Sequence, residues 1–298
     1  MLSSFNKITK LDAIAARGGP LKPLPGGVYK INEKMLSDYR SCKFSNHSSN
    51  LAALTADKIS HQFYVPAFIV DPVTTNEFID VAKISGVPGI ERKSRSHALN
   101  IKYCAQKTAS EIDINITNTK FIVAHLGSGF SIAAVEGGKI IDVNDALLGM
   151  GPFSIERAGA LPISGMLDKI FNSGKSRKEL EELFSKESGL KGYLGTNNFQ
   201  EIEQRIKDGD EEASLIVNTM IYQIVKEIGG LHTAFAGKTS ALIITGGLAN
   251  SKLLIEILSK YLNFIQPHIV YPGSFELEAL ASGIIDVLNN KEAVKDYV

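Results

Sequence analysis

The stretch FIVAHLGSGFSIAAVEGGKIIDV, Phe121 to Val143, decides the fold. An apolar run leads to His125, breaks at Gly127-Ser128-Gly129, and returns through two further strand-like runs. The pattern predicts a phosphate cradle on a β-hairpin. Glycines let backbone N–H groups converge on an anion, and His125, Ser128 and Ser131 would add side-chain donors at the same place. His125 directly precedes the turn and lies neither on an apolar face nor in a metal-ligand spacing, so it is read as a phosphate contact. His61, His97, His232 and His268 lack that setting and are read as structural.

Working outward, 298 residues with 44% hydrophobic content are enough for two α/β domains. Thirty-two basic and 32 acidic residues cancel and are interspersed, so no charged footprint favours nucleic acid or an anionic membrane surface. The two cysteines, Cys42 and Cys104, make neither a disulfide framework nor a zinc site. Both are expected to be buried thiols in a reducing compartment. The opening MLSSFNKITK lacks the basic-then-apolar run of a leader, and no apolar stretch approaches a membrane span. A cytoplasmic location is therefore expected.

Periodicity predicts strands at Leu11–Ala16 and Ala67–Val70 and helices at Ser48–Ser60 and Ser96–Ala109 before the hairpin. Ser176 with Glu179 predicts a capping box for a helix around Leu180–Phe184, and Glu211–Ala236 a long buried helix. The end reads strand Ala241–Thr245, helix Ser251–Leu262, strand His268–Tyr271, helix Glu276–Leu288. This is an open α/β sheet. The expected division is 1–115 and 116–298, with the first half lacking the opening strands of the second.

Other motifs are weaker. Gly174-Lys175-Ser176 is not a P-loop, because Lys169 stands where its first glycine belongs. Neither of the two candidate dinucleotide fingerprints, Gly127-x-Gly129 and Gly149-x-Gly151, is completed by a third glycine. Thr245-Gly246-Gly247-Leu248 follows a strand and opens a helix, which suits either a nucleotide approaching the backbone or a plain tight turn. Arg17 and Arg157 lie in loops, where guanidinium forks would grip a carboxylate or phosphoryl group, or form solvated ion pairs. Asp71 ends a strand before Pro72 and would hold magnesium or orient the phosphoryl group, or cap the turn. Glu276 and Glu278 open the last helix, where they would reach a metal through water or complement the helix dipole.

In order along the chain, LDAIAARGGPLKPLPGG, HSSNLAALTADKI, PAFIVDP, ISGVPGIERKSRSHALN, FIVAHLGSGFSI, IIDVNDALLGMGPFSIERAGALP, YLGTNN, YQIVKEIG, LIITGGLANS and YPGSFELEALASG resemble the acetate and butyrate kinase family of the actin-like ATPase superfamily. The match is nearly collinear and closer to the butyrate branch. It implies two actin-like, ribonuclease H-like α/β domains, the N-terminal one incomplete.

The resemblance implies ATP and Mg2+ as cofactors and a reversible reaction of ATP with a short-chain carboxylate, butyrate rather than acetate, to ADP and an acyl phosphate. It implies that His125, Gly127, Ser128 and Gly129 form a phosphate loop and Gly246, Gly247 and Leu248 an adenosine loop. Arg17 and Arg157 would hold the carboxylate and the transferring phosphoryl group. Asp71 would sit at the catalytic centre, and Glu276 or Glu278 would organise magnesium. A homodimer or larger homo-oligomer is also implied. The family opens with a strand carrying an Asn-x-Gly-Ser-type first phosphate loop, and this chain is expected to start after it. The alternative is an impaired, truncated kinase that only binds nucleotide or a partner. Leu148 and Met150 stand where the butyrate pattern has acidic residues, and Ser128 replaces a glycine or asparagine.

Overall fold

Two sheets organise the chain in a computed structural model that describes residues 10–45 and 47–298. Met1–Thr9, over which the sequence shows no leader-like run, lie outside the described residues. The first compact unit comprises residues 10–77, 98–100 and 275–298, and the second comprises 78–97 and 101–274. These units cross the boundary drawn in the sequence at 115 and 116.

In the first unit, β1 (Ile14–Arg17), β2 (Val28–Lys30), α1 (Glu33–Arg40), α2 (Asn50–Phe63) and β3 (Ala67–Val70) follow in order. The three strands pair as β1-β3-β2, with β1 parallel and β2 antiparallel to β3. All four residues of β3 are buried, which explains its unbroken apolar reading, Ala-Phe-Ile-Val. The strand β2 and helix α1 carry no strong period in the sequence. Asn32 caps α1 by accepting a hydrogen bond from the Met35 amide at 3.0 Å.

The C-terminal segment completes this unit. Its helix, Glu276–Leu288, covers the sheet through Gly283, where a Cβ would stand 2.8 Å from a Val70 methyl. The tail then aligns with β2: the Lys295 amide donates to the Val28 carbonyl at 2.8 Å, and the Lys30 amide donates to the Lys295 carbonyl at 3.1 Å. Beyond it, the Tyr297 hydroxyl donates to the buried Asp38 at 2.7 Å. The last residues therefore belong to the first unit because a glycine permits close packing and the tail supplies main-chain bonds.

The second unit contains α3 (Asp80–Lys83), the body of α4 (Ala98–Glu111), β4 (Lys120–Leu126), β5 (Phe130–Glu136), β6 (Lys139–Val143), α5 (Ile163–Asn172), α6 (Arg177–Lys186), α7 (Gly189–Leu194), α8 (Phe199–Lys207), α9 (Glu211–Ala234), β7 (Ala241–Gly246), α10 (Lys252–Tyr261) and β8 (His268–Pro272). The helix Glu276–Leu288 of the first unit is thus α11. Strand order is β6-β5-β4-β7-β8, antiparallel across β6-β5-β4 and parallel across β4-β7-β8. Gly137 and Gly138, both at positive φ, turn β5 into β6. Asp210 caps the 24-residue α9, which buries Ala213, Val217, Met220, Ile221, Ile224, Ile228 and Leu231 along one stripe. Each buried Ile, Leu, Val or Phe of this core contributes about 1.5–3 kcal/mol by leaving water.

The capping box forms in both directions, with Ser176 bonding the Glu179 amide and Glu179 bonding the Ser176 amide. Its helix is longer than the sequence reading, because α6 extends on both sides of Leu180–Phe184. Cys104 is buried as expected, and burial pushes its thiol up to about 11. Cys42 is exposed, contrary to expectation, because it follows the exposed end of α1 rather than a core strand.

Candidate functional site

Within the second unit, the glycine turn Gly127–Gly129 joins the inner strands β4 and β5. Register places His125 opposite Ser131 and Leu126 opposite Phe130, and the Gly127 amide donates to the Gly129 carbonyl at 3.3 Å. The turn is therefore tight. His125 is buried, and its Nε2 lies 3.4 Å from where a Gly127 side chain would begin.

A second glycine turn abuts it, because β7 runs parallel to β4. A Cβ on Gly246, whose φ is +95°, would stand 2.3 Å from the Leu126 carbonyl oxygen. Only glycine fits there, on both backbone and steric grounds. Gly247 faces open space, and the chain continues through a 3-10 turn to α10, whose N-cap Ser251 accepts from the Leu254 amide at 3.0 Å. Leu248 is a core residue, so only its backbone can meet a ligand.

Arg157 completes the arrangement. Its guanidinium lies over Gly129 so closely that a Cβ would stand 1.9 Å from Nη1 and 2.3 Å from Cζ. Nη1 donates to the Ala146 carbonyl, and Nε is buried without a hydrogen-bond partner. Burial pulls the guanidinium below its ordinary value, opposed by the nearby Glu156 and Asp145 charges. The Ser154 hydroxyl donates to the Ser128 carbonyl at 2.6 Å and accepts from the Arg157 amide at 3.3 Å. One hydroxyl thus ties the arginine segment to the glycine turn. Asn144 braces β5 from beside it, accepting from the Ile132 amide at 2.7 Å and donating to the Phe130 carbonyl at 3.0 Å.

His97 is the residue that sequence reading missed. Its ring stacks on His125 with centroids 4.0 Å apart, and its Nδ1 lies 2.8 Å from the Ser131 hydroxyl, which also accepts from the His97 amide at 3.2 Å. Ser131, expected as a cradle donor, is therefore turned to His97 and fully buried. Exposed Ser128 contributes its carbonyl to Ser154. Nothing in the local pattern of SRSHALN marks His97, because the pairing comes from tertiary packing.

In the first unit, Arg17 ends β1 and pairs in register with Val70, which precedes Asp71. Asp71 takes φ +38°, uncommon for a residue with a side chain, and its carboxylate accepts from the Gly27 amide at 2.8 Å. Arg17 donates to Glu276 at 3.1 Å. Glu278 is exposed on the first turn of α11, so the two glutamates differ in setting. Among the described residues no group of three acidic, histidine or cysteine side chains forms a metal cage. Asp71 and Glu276 nevertheless supply the donor type that magnesium takes, one or two carboxylates completed by water and phosphate oxygens. No described helix is long and apolar enough to cross a membrane.

A family model described as the acetokinase family matches residues 86–267, well over half of the chain. Solved structures are similar as well. Acetate kinase from Porphyromonas gingivalis has a TM-score of 0.80 at 22% identity, covering 93% of this chain and 78% of that chain. A propionate kinase from Francisella tularensis subsp. tularensis SCHU S4 has 0.80 at 22%, covering 95% and 81%. Acetate kinase from Entamoeba histolytica has 0.82 at 16%, covering 97% and 82%. At these identities the likeness shows the fold, a mixed α/β architecture shared with those kinases.

Proposed function

This chain belongs to the acetokinase family of carboxylate kinases, and on that premise we propose that it transfers the γ-phosphoryl group of ATP to a short-chain carboxylate of the butyrate type. The observation that carries the reading is the cluster of two abutting glycine turns with a mostly buried arginine laid across one of them. Glycine turns open to close backbone approach and a desolvated guanidinium suit a polyphosphate and its transferring group.

In this reading the backbone of Gly127, Ser128 and Gly129, with His125, holds phosphate oxygens. The backbone of Gly246, Gly247 and Leu248 meets the adenosine. Arg17 and Arg157 neutralise the carboxylate and the phosphoryl group, and the stack on His97 orients the His125 ring. A carboxylate oxygen attacks the γ-phosphorus while the bond to the β–γ bridging oxygen breaks, and that electron pair leaves with ADP. No proton has to move, because the acid is already ionised at neutral pH. Positioning and charge neutralisation then carry the rate. Asp71 and Glu276 would hold Mg2+, which supplies further neutralisation of phosphate charge when bound. The more exposed Glu278 is the weaker candidate. Assignment of 1–115 and 116–298 to two actin-like halves, a cytoplasmic location and assembly into a homodimer or larger belong to the same reading.

The test is ATP-dependent hydroxamate formation from butyrate and hydroxylamine. Arg157→Ala should lower turnover by about 10²-fold or more while the chain stays folded by circular dichroism. Retention of full turnover by the variant, or ATP binding without hydroxamate in the parent, would remove the phosphotransfer role.

A further inference from the structure

A cavity of about 300 Å³ lies in the second unit between the segment Ser85–Arg95 and the loop that follows β6. Its apolar walls are Ile90, Val143, Leu148 and Met150. Ile90 and Met150 are 61% and 58% exposed, a large apolar area left open at a concave site. Of the three cations that line it, Arg92, Lys93 and Arg95, two are engaged by carboxylates. Arg92 pairs with Asp142 at 2.7 Å, and Arg95 pairs with Asp145. The free surface of the cavity is thus mainly hydrocarbon.

The cavity shares Asp145, Gly149 and Met150 with the recess that holds Arg157. An acid with its tail among Ile90, Leu148 and Met150 would therefore have its carboxylate end toward the Arg157 recess. Resting on the carboxylate-kinase reading, we propose that this cavity receives the acyl chain and selects acids with a larger apolar part than butyrate, of branched or medium length. Volume supports the size. A cavity of about 150 Å³ accommodates benzene, with six heavy atoms, and butyrate also has six. This one has roughly twice that volume, so acids of about five to seven carbons, with about seven to nine heavy atoms, fit within it with room to spare.

The loop that carries the selecting side chains is fixed by Asp145. Its Oδ1 accepts from the Leu147 amide at 3.0 Å, and its Oδ2 is held by Arg95. Gly149 allows the fold-back, since a Cβ would stand 2.2 Å from that of Asp145. Asp145 and Arg95 are thus positioning residues for Leu148 and Met150.

Hydroxamate formation across acetate, butyrate, isovalerate and hexanoate tests the proposal. The expected result is a kcat/KM for isovalerate or hexanoate about tenfold or more above butyrate, since each methylene in an apolar pocket is worth about that factor. Met150→Trp, or Leu148→Trp as a second filling variant, should lower the hexanoate-to-butyrate ratio by a similar factor. Calorimetric titration with hexanoate reads the cavity independently of turnover. Hexanoate binding that Met150→Trp abolishes, without any hydroxamate, keeps the cavity assignment and overturns the kinase reading. Hydroxamate from acetate and butyrate alone, or a ratio unmoved by both tryptophans, overturns the cavity assignment and leaves the kinase reading standing. Neither binding nor hydroxamate overturns both.

Discussion

Gly129→Ala should fail for one identifiable reason, and a second substitution isolates it. Backbone strain is not the cause, because Gly129 is absent from the positive-φ residues. The obstacle is the Arg157 guanidinium, at 1.9 Å from the added carbon through Nη1, 2.3 Å through Cζ and 2.8 Å through Nε. A guanidinium is the far end of a flexible side chain and can swing away, but swinging breaks its bond to the Ala146 carbonyl. A hydrogen bond to a charged group is worth about 1.5–3 kcal/mol, so Gly129→Ala should destabilise by about that amount. In an Arg157→Ala background the added methyl has no guanidinium to meet, and Gly129→Ala should cost about 0.5 kcal/mol or less. The double-mutant cycle by urea denaturation should therefore give a coupling of about 1–3 kcal/mol. An equal cost of Gly129→Ala in both backgrounds would refute the packing of Arg157 on the turn.

Gly246→Ala should cost about 3 kcal/mol or more, or prevent folding, because a close backbone approach and an unfavourable φ coincide. Gly247→Ala meets open space and should change thermal stability by about 1 kcal/mol at most, so any rise in KM for ATP isolates the role of its backbone. Ser131→Ala removes the hydroxyl that holds the His97 amide and ring; we expect a loss of about 1 kcal/mol, and an unshifted His97 signal in the NMR spectrum would contradict it. The Tyr297 hydroxyl outweighs burial and, helped by Lys34 and Lys43, holds the Asp38 carboxyl below its ordinary range. That contribution is complete above an ordinary aspartate pKa of about 4 and disappears as pH falls through the lower folded value. Denaturant midpoints between pH 5 and pH 2 should consequently fall less steeply in Tyr297→Phe than in the parent; parallel curves would dismiss the linkage.

Much of the fold was legible in the residues. The strand Ala67–Val70, the hairpin from Phe121 and the closing β7-α10-β8-α11 series agree with their sequence reading nearly residue for residue. Long apolar runs buried on both faces leave little ambiguity, and Ser176 with Glu179 announces a helix start through its own chemistry. The strand β2 and helices α1, α5, α7 and α8 were not legible. The three-residue β2 is held by its pairing with β3 and by the C-terminal tail.

What the sequence by itself determined was local: where strands run, where glycine turns interrupt them, and which histidine and arginines stand beside those turns. The tertiary structure alone decided that Gly246 presses on Leu126, that Arg157 covers Gly129, that His97 stacks on His125, and that Arg17 meets Glu276, which lies 259 positions along the chain. Hydrogen-bond period and turn chemistry act over a few neighbouring residues and leave a mark in the order of amino acids. Steric contact between distant segments depends on the completed packing, and it leaves no such mark until the core has formed.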